Sequence, residues 1–409
     1  MTQHDDDLDL FSEARTERHR PVRVDRGGRR PPPPRKKKRK TGLWIGMLVV
    51  LVLIAAGGYY GYKQLTGIGD YEDFAGQGEG DVVIQVHNGD STGDIAATLV
   101  DAGVVASSRA FVAAAESNTD VRGVQPGYYV MKTKASGSAA VSKIVDPKSR
   151  VGAMDIKPGA QLENVILGQD KVVKGITAML ADASCAELDG KSTCVPPEQL
   201  AEAVKTADLA KLGVPDWAIP DASKAEPQRR LEGLIMPGVY HVKPGSTPEE
   251  LWQQLVGESA TRMQAFGLPD VAKDTGYTPY QVLVMASLVE KEAITKDFGK
   301  VSRVTYNRLR ESMKLEYDST INYVLDRPAI RTNEEDRDRV GPYNTYDNTG
   351  LPPTPISAPG EGALEAAVNP EPGEWLFFVK CEKDGTSCFA VTNDEHNDNR
   401  VKAQANGAY

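Results

Sequence analysis

The spacing of apolar positions changes character along the chain. Residues 41–62, TGLWIGMLVVLVLIAAGGYYGY, carry no charge between Lys40 and Lys63. At 1.5 Å per residue this is about 33 Å of helix, matching a hydrocarbon core of about 30 Å. From Asp81, DVVIQV alternates as a strand does, and NGDSTGDIAATLVDAG follows as a turn, a Ser-containing cap and an amphipathic helix. RAFVAAAES predicts a short helix, and PGYYVMKTKASGSAAVSKIV a Tyr-rich strand, a turn and a helix. A second pass in the same order opens with MDIKPGAQLENVILG and closes with PGVYHVKPGSTPEELWQQLVG. PGYYVMK (126–132) against PGVYHVK (237–243) therefore marks an internal duplication whose second copy holds a large insert. From about residue 266 the pattern turns helical, in YTPYQVLVMASLVEKEAITKDFGKVSRVTYNRLRESMKLEYDSTINYVL. The expected fold class is α+β, in six stretches: a tail (1–42), a transmembrane helix (43–62), a linker (63–80), a strand-and-helix module (81–150), a second such module with an insert (151–265) and a mostly helical domain (266–409).

Charge gives this order a direction. The formal net charge of −9 hides an asymmetry: residues 1–42 hold 13 Lys/Arg against 7 Asp/Glu, which leaves −15 for the remainder. RKKKRK (35–40) lies directly before the apolar run and only Lys63 follows it closely, so the positive-inside rule keeps the N-terminus cytoplasmic and places everything after Lys63 outside. Trp44 and Tyr59, Tyr60 and Tyr62 sit at the two ends as interfacial aromatics do. A cleaved signal peptide has a shorter apolar region nearer the start. The tail, with PPPP at 31–34 and no apolar periodicity, is expected to be disordered. An acidic exterior part gives no basis for nucleic-acid binding.

Cys185 and Cys194 flank AELDGKST, and Cys381 and Cys388 flank EKDGTS, a turn between the β-type segments LFFV and FAVT. Two local disulfides are the natural pairing in an external compartment. Neither spacing fits a zinc knuckle and no His lies near either pair, so no metal or other cofactor is expected. His396 is read as structural.

The candidate chemistry sits where an apolar helix ends in Glu290, Lys291 and Glu292. Thr278 and Pro279 stand where a cap and a first-turn proline belong. A carboxyl group at such a place loses solvation, keeps its proton towards neutrality and can protonate a leaving oxygen. At about 100° per residue, the apolar direction of 282–289 lies roughly 50° from Glu292 and roughly 110° from Glu290. Glu292 is the first candidate and Glu290 the reserve. In YNTYDNTGLPPTPISAPG (343–360), Asn344, Thr345 and Tyr346 offer amide, hydroxyl and ring contacts for acetamido sugars, and Pro352, Pro353 and Pro355 stiffen the loop. Asp318, in YDST, either partners the acid or caps a helix starting at Thr320. Tyr128, Tyr129 and Tyr240 are candidates to stack on sugar faces or to fill a half-buried strand face.

Six ordered blocks, LEGLIMPGVY (231–240), ASLVEKEA (286–293), VSRVTYNRL (301–309), EYDSTINYVL (316–325), YNTYDNTGLPPTPISAPG (343–360) and TNDEHN (392–397), together resemble the endolytic murein transglycosylase, or YceG-like, family. The chain departs from that family at Met236, Gly238 and Val239, where an aromatic, an acid and a hydroxyl residue are more usual. The strand-and-helix modules resemble LysM-like modules, which bind glycan. The resemblance implies a cell-membrane enzyme with a lysozyme-like catalytic domain outside. It would cut nascent peptidoglycan glycan strands between N-acetylmuramic acid and N-acetylglucosamine, leave 1,6-anhydro ends and work beside membrane-bound peptidoglycan synthases. It also implies a catalytic glutamate in the VEKE block, here Glu292 before Ala293. One indispensable carboxyl suffices if the nucleophile is the substrate's own C6 hydroxyl. A hydrolytic muramidase would want a second carboxylate, and a non-catalytic cell-wall scaffold would want neither.

Overall fold

The structure, a computed structural model, describes residues 41–66, 71–168, 171–325 and 334–408, and within the first of these the side chains of 47–59. Nearly all of the expected basic tail lies outside the described residues, as do the side chains of Trp44, Tyr60 and Tyr62. The chain divides into two compact units, 1–69 and 70–409. In the first, Thr41–Thr66 is a single helix, and its described side chains, among them Leu51, Leu53 and Ile54, are exposed. Among the described residues no helix is long and apolar enough to cross a membrane.

The second unit is mixed α and β. Strand Asp81–Val86 runs antiparallel to Gly127–Lys132, whose other edge pairs with Arg150–Val151. Helices Thr92–Asp101 and Ser108–Glu116 lie between the first two strands in sequence. Each starts on a serine: Ser91 forms a capping box with Asp94, and Ser107 accepts from the Ala110 N–H. Ile84, Leu99, Phe111, Met131 and Ile144 bury a small core of their own.

The second copy repeats the strand pairing. Ala153–Ile156 runs antiparallel to Gly238–His241 with Ile156 opposite Gly238, as Val86 lies opposite Gly127. Gly127 and Gly238 hold φ of 144° and 143°, which a Cβ would strain. Two residues on, Tyr129 and Tyr240 bury their rings and donate their hydroxyls at 2.6 Å to the carbonyls four residues back, Gln125 and Met236. These two rings belong to the core, which removes them as sugar platforms; Tyr128 is half-buried.

Between these strands the copies part. Where the second pass predicts a helix after the strand, Val165–Leu167 instead pairs with Lys171–Val173 as a hairpin. The β-branched run Val165, Ile166, Val172 and Val173 favours the extended form. The insert adds helices Ile176–Ala183 and Pro197–Thr206, with Cys185 bonded to Cys194 around an Asp189–Gly190 turn. Helix Pro248–Phe266 follows, capped by Thr247 and Glu250.

In the remainder, helix Pro279–Glu292 starts on the Thr278 capping box and is buried from Val282 to Val289. Helices Phe298–Arg310 and Glu361–Val368 pack on it. The hairpin Phe377–Lys380 with Ser387–Ala390 is closed by Cys381–Cys388, and helix Asn393–Asn406 ends the fold. His396 stacks on Phe377, ring centroids 5.3 Å apart. One apolar core runs from Met154 through Trp252 and Leu283 to Ala367, so the second copy and the helical part share it.

Candidate active site

The two glutamates that end helix Pro279–Glu292 face different partners. Glu290 accepts from the Gly360 N–H at 2.9 Å, at the start of helix Glu361–Val368, and so joins two helices. Burial pushes its pKa up, opposed by that N–H and by Lys291. Glu292 accepts from the Ser319 N–H at 3.2 Å, in the first turn of helix Asp318–Asn322. Its pKa is also raised, first by desolvation; Ser319 and Lys380 oppose the shift and the Asp318 charge adds to it.

Asp318 does not cap a helix. It is the first helical residue, behind Tyr317, and its Oδ1 accepts from the Tyr346 hydroxyl at 2.6 Å and from Arg337 at 3.4 Å. Arg337 lies over the Tyr346 ring, 5.0 Å from its centroid. Burial first, and then Asp318, raises the Tyr346 phenol well above its ordinary range, so it keeps its proton at neutral pH and serves as a hydrogen-bond donor. Glu292, Asp318 and Tyr346 thus form one cluster through Ser319 and the Tyr346–Asp318 bond.

Asn344 and Thr345 lie behind this cluster. The Asn344 amide donates to the Arg337 and Arg339 carbonyls, both at 2.7 Å, and its oxygen accepts from the Tyr346 N–H at 2.8 Å. The Thr345 hydroxyl accepts from the Tyr317 N–H and meets that of Thr320 at 2.9 Å. Both residues are buried and committed to the protein, so they hold Tyr346 and the Asp318 helix in place while Tyr346 and Asp318 keep the outward positions.

The proline part of the loop is anchored on the glutamate helix. The Ile356 N–H donates to the Ser287 hydroxyl at 3.0 Å, and the Gly159 and Ala358 N–H groups donate to Ala358 and Ala160 carbonyls at 2.8 and 2.7 Å. A Cβ on Gly233, which sits at φ 72°, would collide with the Pro355 ring. Asn307 and Arg308, in the VSRVTYNRL block, spend their side chains on backbone carbonyls, Asn307 on Gly373 and Trp375 and Arg308 on Lys314, Leu315 and Leu376.

Sequence reasoning missed Glu232. It is 2% exposed, its Oε2 accepts from the Tyr323 hydroxyl at 3.0 Å and the Leu162 N–H at 3.3 Å, and its Oε1 has no partner. Burial drives its pKa up to about 7. The available signal was an acid inside the apolar run LEGLIM. Among the described residues no group of His, Cys, Asp and Glu is placed to hold a metal ion.

The chain is similar to known proteins over most of its length. The model of the YceG-like family matches residues 84–402. An endolytic murein transglycosylase of Bacillus subtilis (strain 168) is 26% identical over 324 residues, 78% of this chain and 84% of its own length. One from Streptococcus pneumoniae (strain D39) is 26% identical over 374 residues, 87% of this chain and 64% of its own length. The crystal structure of a YceG-like protein from Listeria monocytogenes superposes with a TM-score of 0.51 at 24% identity, covering 78% of this chain and 98% of that one, and so shares the fold.

Proposed function

The chain belongs to the YceG-like family, and on that premise we propose that it is a membrane-anchored lytic transglycosylase of peptidoglycan, cutting nascent strands internally between N-acetylmuramic acid and N-acetylglucosamine to leave 1,6-anhydro ends. Both relatives above carry the name of that enzyme class. The observation that carries the mechanism is the desolvated Glu292 carboxyl, held by the Ser319 N–H beside Asp318 and Tyr346.

Protonated Glu292 gives its proton to the glycosidic oxygen as the bond to C1 breaks through an oxocarbenium-like state. The carboxylate then takes the proton from the muramic acid C6 hydroxyl as that oxygen closes on C1. The Ser319 N–H steadies the anion between the two transfers. Because the nucleophile is part of the same sugar, its effective concentration is high and no water need be activated.

The uncharged run 41–62 behind RKKKRK supports a single-pass anchor with the N-terminus in the cytoplasm and the enzyme outside, beside membrane-bound synthases. The strand–helix–helix–strand order of 81–132 supports a LysM-like, glycan-binding reading of the first module. The 266–409 part is read as lysozyme-like in function, with Tyr346 and Asp318 at the sugar and Asn344 and Thr345 behind them.

Glu292→Gln and Glu290→Gln, assayed on freshly polymerised glycan with mass analysis of the ends, test this. Glu292→Gln is expected to abolish cleavage in a folded protein, and Glu290→Gln to retain it. Full activity in Glu292→Gln with loss in Glu290→Gln reverses the assignment; a cleaving wild type with no difference between it and either variant removes both glutamates. Asp318 beside Glu292 favours one second reading, a hydrolytic muramidase with Asp318 as the partner carboxylate. Reducing ends in place of anhydro ends would establish it.

A further inference from the structure

A cavity of about 420 Å³ opens beside Glu232, walled by Arg229, Tyr323 and the hairpin residues Val165, Ile166 and Val172. Its size falls in the range of small-ligand sites, roughly 300–1,000 Å³. Three features define what it would hold. Glu232 is buried and lines it, yet its Oε1 has no partner, and a buried acceptor left unpaired costs stability unless something donates to it. Arg229 is already engaged: its Nε donates to Glu226 at 2.9 Å, and its guanidinium lies 4.5 Å from the Tyr323 centroid and 5.2 Å from that of Tyr343. With that cation committed and a carboxyl on the wall, the cavity disfavours an anion and suits a neutral hydrogen-bond donor. The valine and isoleucine wall suits an apolar methyl.

We propose that this cavity binds one N-acetylhexosamine of the glycan strand, its acetamido N–H donating to Glu232 Oε1 and its methyl packing on Val165, Ile166 and Val172. The proposal rests on the peptidoglycan reading above and adds a subsite to it. Tyr323 follows the Asp318–Asn322 helix that holds Glu292, and the Lys291 ammonium lies within electrostatic reach of both Glu232 and Glu292, so cavity and acid are neighbours in one unit. The near-neutral titration of Glu232 leaves a carboxyl able to meet an uncharged sugar.

The test is binding of an N-acetylglucosamine tetramer to the full chain carrying Glu292→Gln, read by calorimetry and by the crystal structure of the complex. The tetramer is expected to bind with a sugar against Glu232, and cellotetraose, which lacks the acetamido group, is expected not to. Val172→Trp, at a site 54% exposed in the native chain, narrows the mouth without touching the core and is expected to weaken binding about tenfold or more. Glu232→Gln, which keeps the acceptor for Tyr323 and Leu162 and turns an amide N–H₂ toward the cavity, is expected to do the same. In the cleaving enzyme, Val172→Trp should raise KM and leave kcat. Only water against Oε1 at saturating tetramer, or affinity unchanged by both substitutions, overturns the proposal. Because binding is read in a Glu292→Gln chain, failure of the cleavage mechanism leaves this outcome readable.

Discussion

Two desolvated carboxyl groups set the pH response of the chain, Glu292 in activity and Glu232 in stability, and both quantities fall as pH rises. Glu292, with its pKa raised by desolvation and by Asp318, stays protonated to higher pH than a free glutamate, so a reaction that starts from the acid loses rate as pH rises through that pKa. Asp318→Asn removes the repelling charge, and the alkaline limb of the kcat/KM profile should move to lower pH; an unmoved limb would separate Asp318 from the acid. Glu232 makes the stability prediction. Between its ordinary 4.5 and about 7, the folded chain keeps a proton that the unfolded chain has released, so stability falls as pH rises through that window. The whole effect is at most about 3.5 kcal/mol, at about 1.4 kcal/mol per pH unit. Glu232→Gln removes the slope. Its melting temperature relative to wild type should be higher at pH 8 than at pH 5, and a difference that does not vary with pH would refute the assignment.

Elements here are set by local signals where the signal is local, and by distant partners where it is not. The start of helix Pro279–Glu292 was legible because Thr278, Pro279 and Gln281 are neighbours that complete a cap among themselves. The same holds for the duplicated Pro-Gly-x-Tyr strands and for both cysteine pairs, whose partners lie seven and nine residues apart. What separates Glu290 from Glu292 was not legible: their partners, Gly360 and Ser319, lie 70 and 27 residues away. Asn344 and Thr345 read as sugar contacts because polarity in a loop does not reveal which carbonyls it will meet. Glu232 was missed because its importance comes from burial, which one acid in an apolar run only hints at. The same distinction predicts two glycine outcomes. Gly257, within helix Pro248–Phe266 with open space at its Cβ, should accept Ala with a gain of about 0.5–1 kcal/mol. Gly233→Ala combines a positive φ with collision against Pro355, and should cost about 2 kcal/mol or more and loosen the loop from the glutamate helix. Denaturant titration of the two variants checks both signs.

At the scale of the whole chain, charge separates capture from anchoring. The first 42 residues hold a net +6 and the remainder −15, while the proposed substrate is itself anionic. An enzyme of this sign does not gather murein by its overall field; on the proposed reading it depends on pockets that match sugars and on an anchor that would keep it where new strands emerge. A purified chain beginning at residue 71, which keeps nearly all of the compact 70–409 unit, carries the site without the basic segment. Its kcat/KM on soluble glycan should hold steady or rise from low to physiological ionic strength, because salt screens repulsion between like charges. A protein that captured glycan through a basic surface would slow by orders of magnitude over the same range, as counterion-release binding does. The intact chain adds the second half of the argument. If RKKKRK sets orientation, replacing those six residues with neutral ones should leave the chain in membranes yet expose part of the 71–409 domain to the cytoplasm, where a protease added to inverted vesicles would cut it. Unchanged protection would show that orientation is fixed by something other than the basic block, and a salt-driven fall in rate would move substrate capture from the pockets back to the surface.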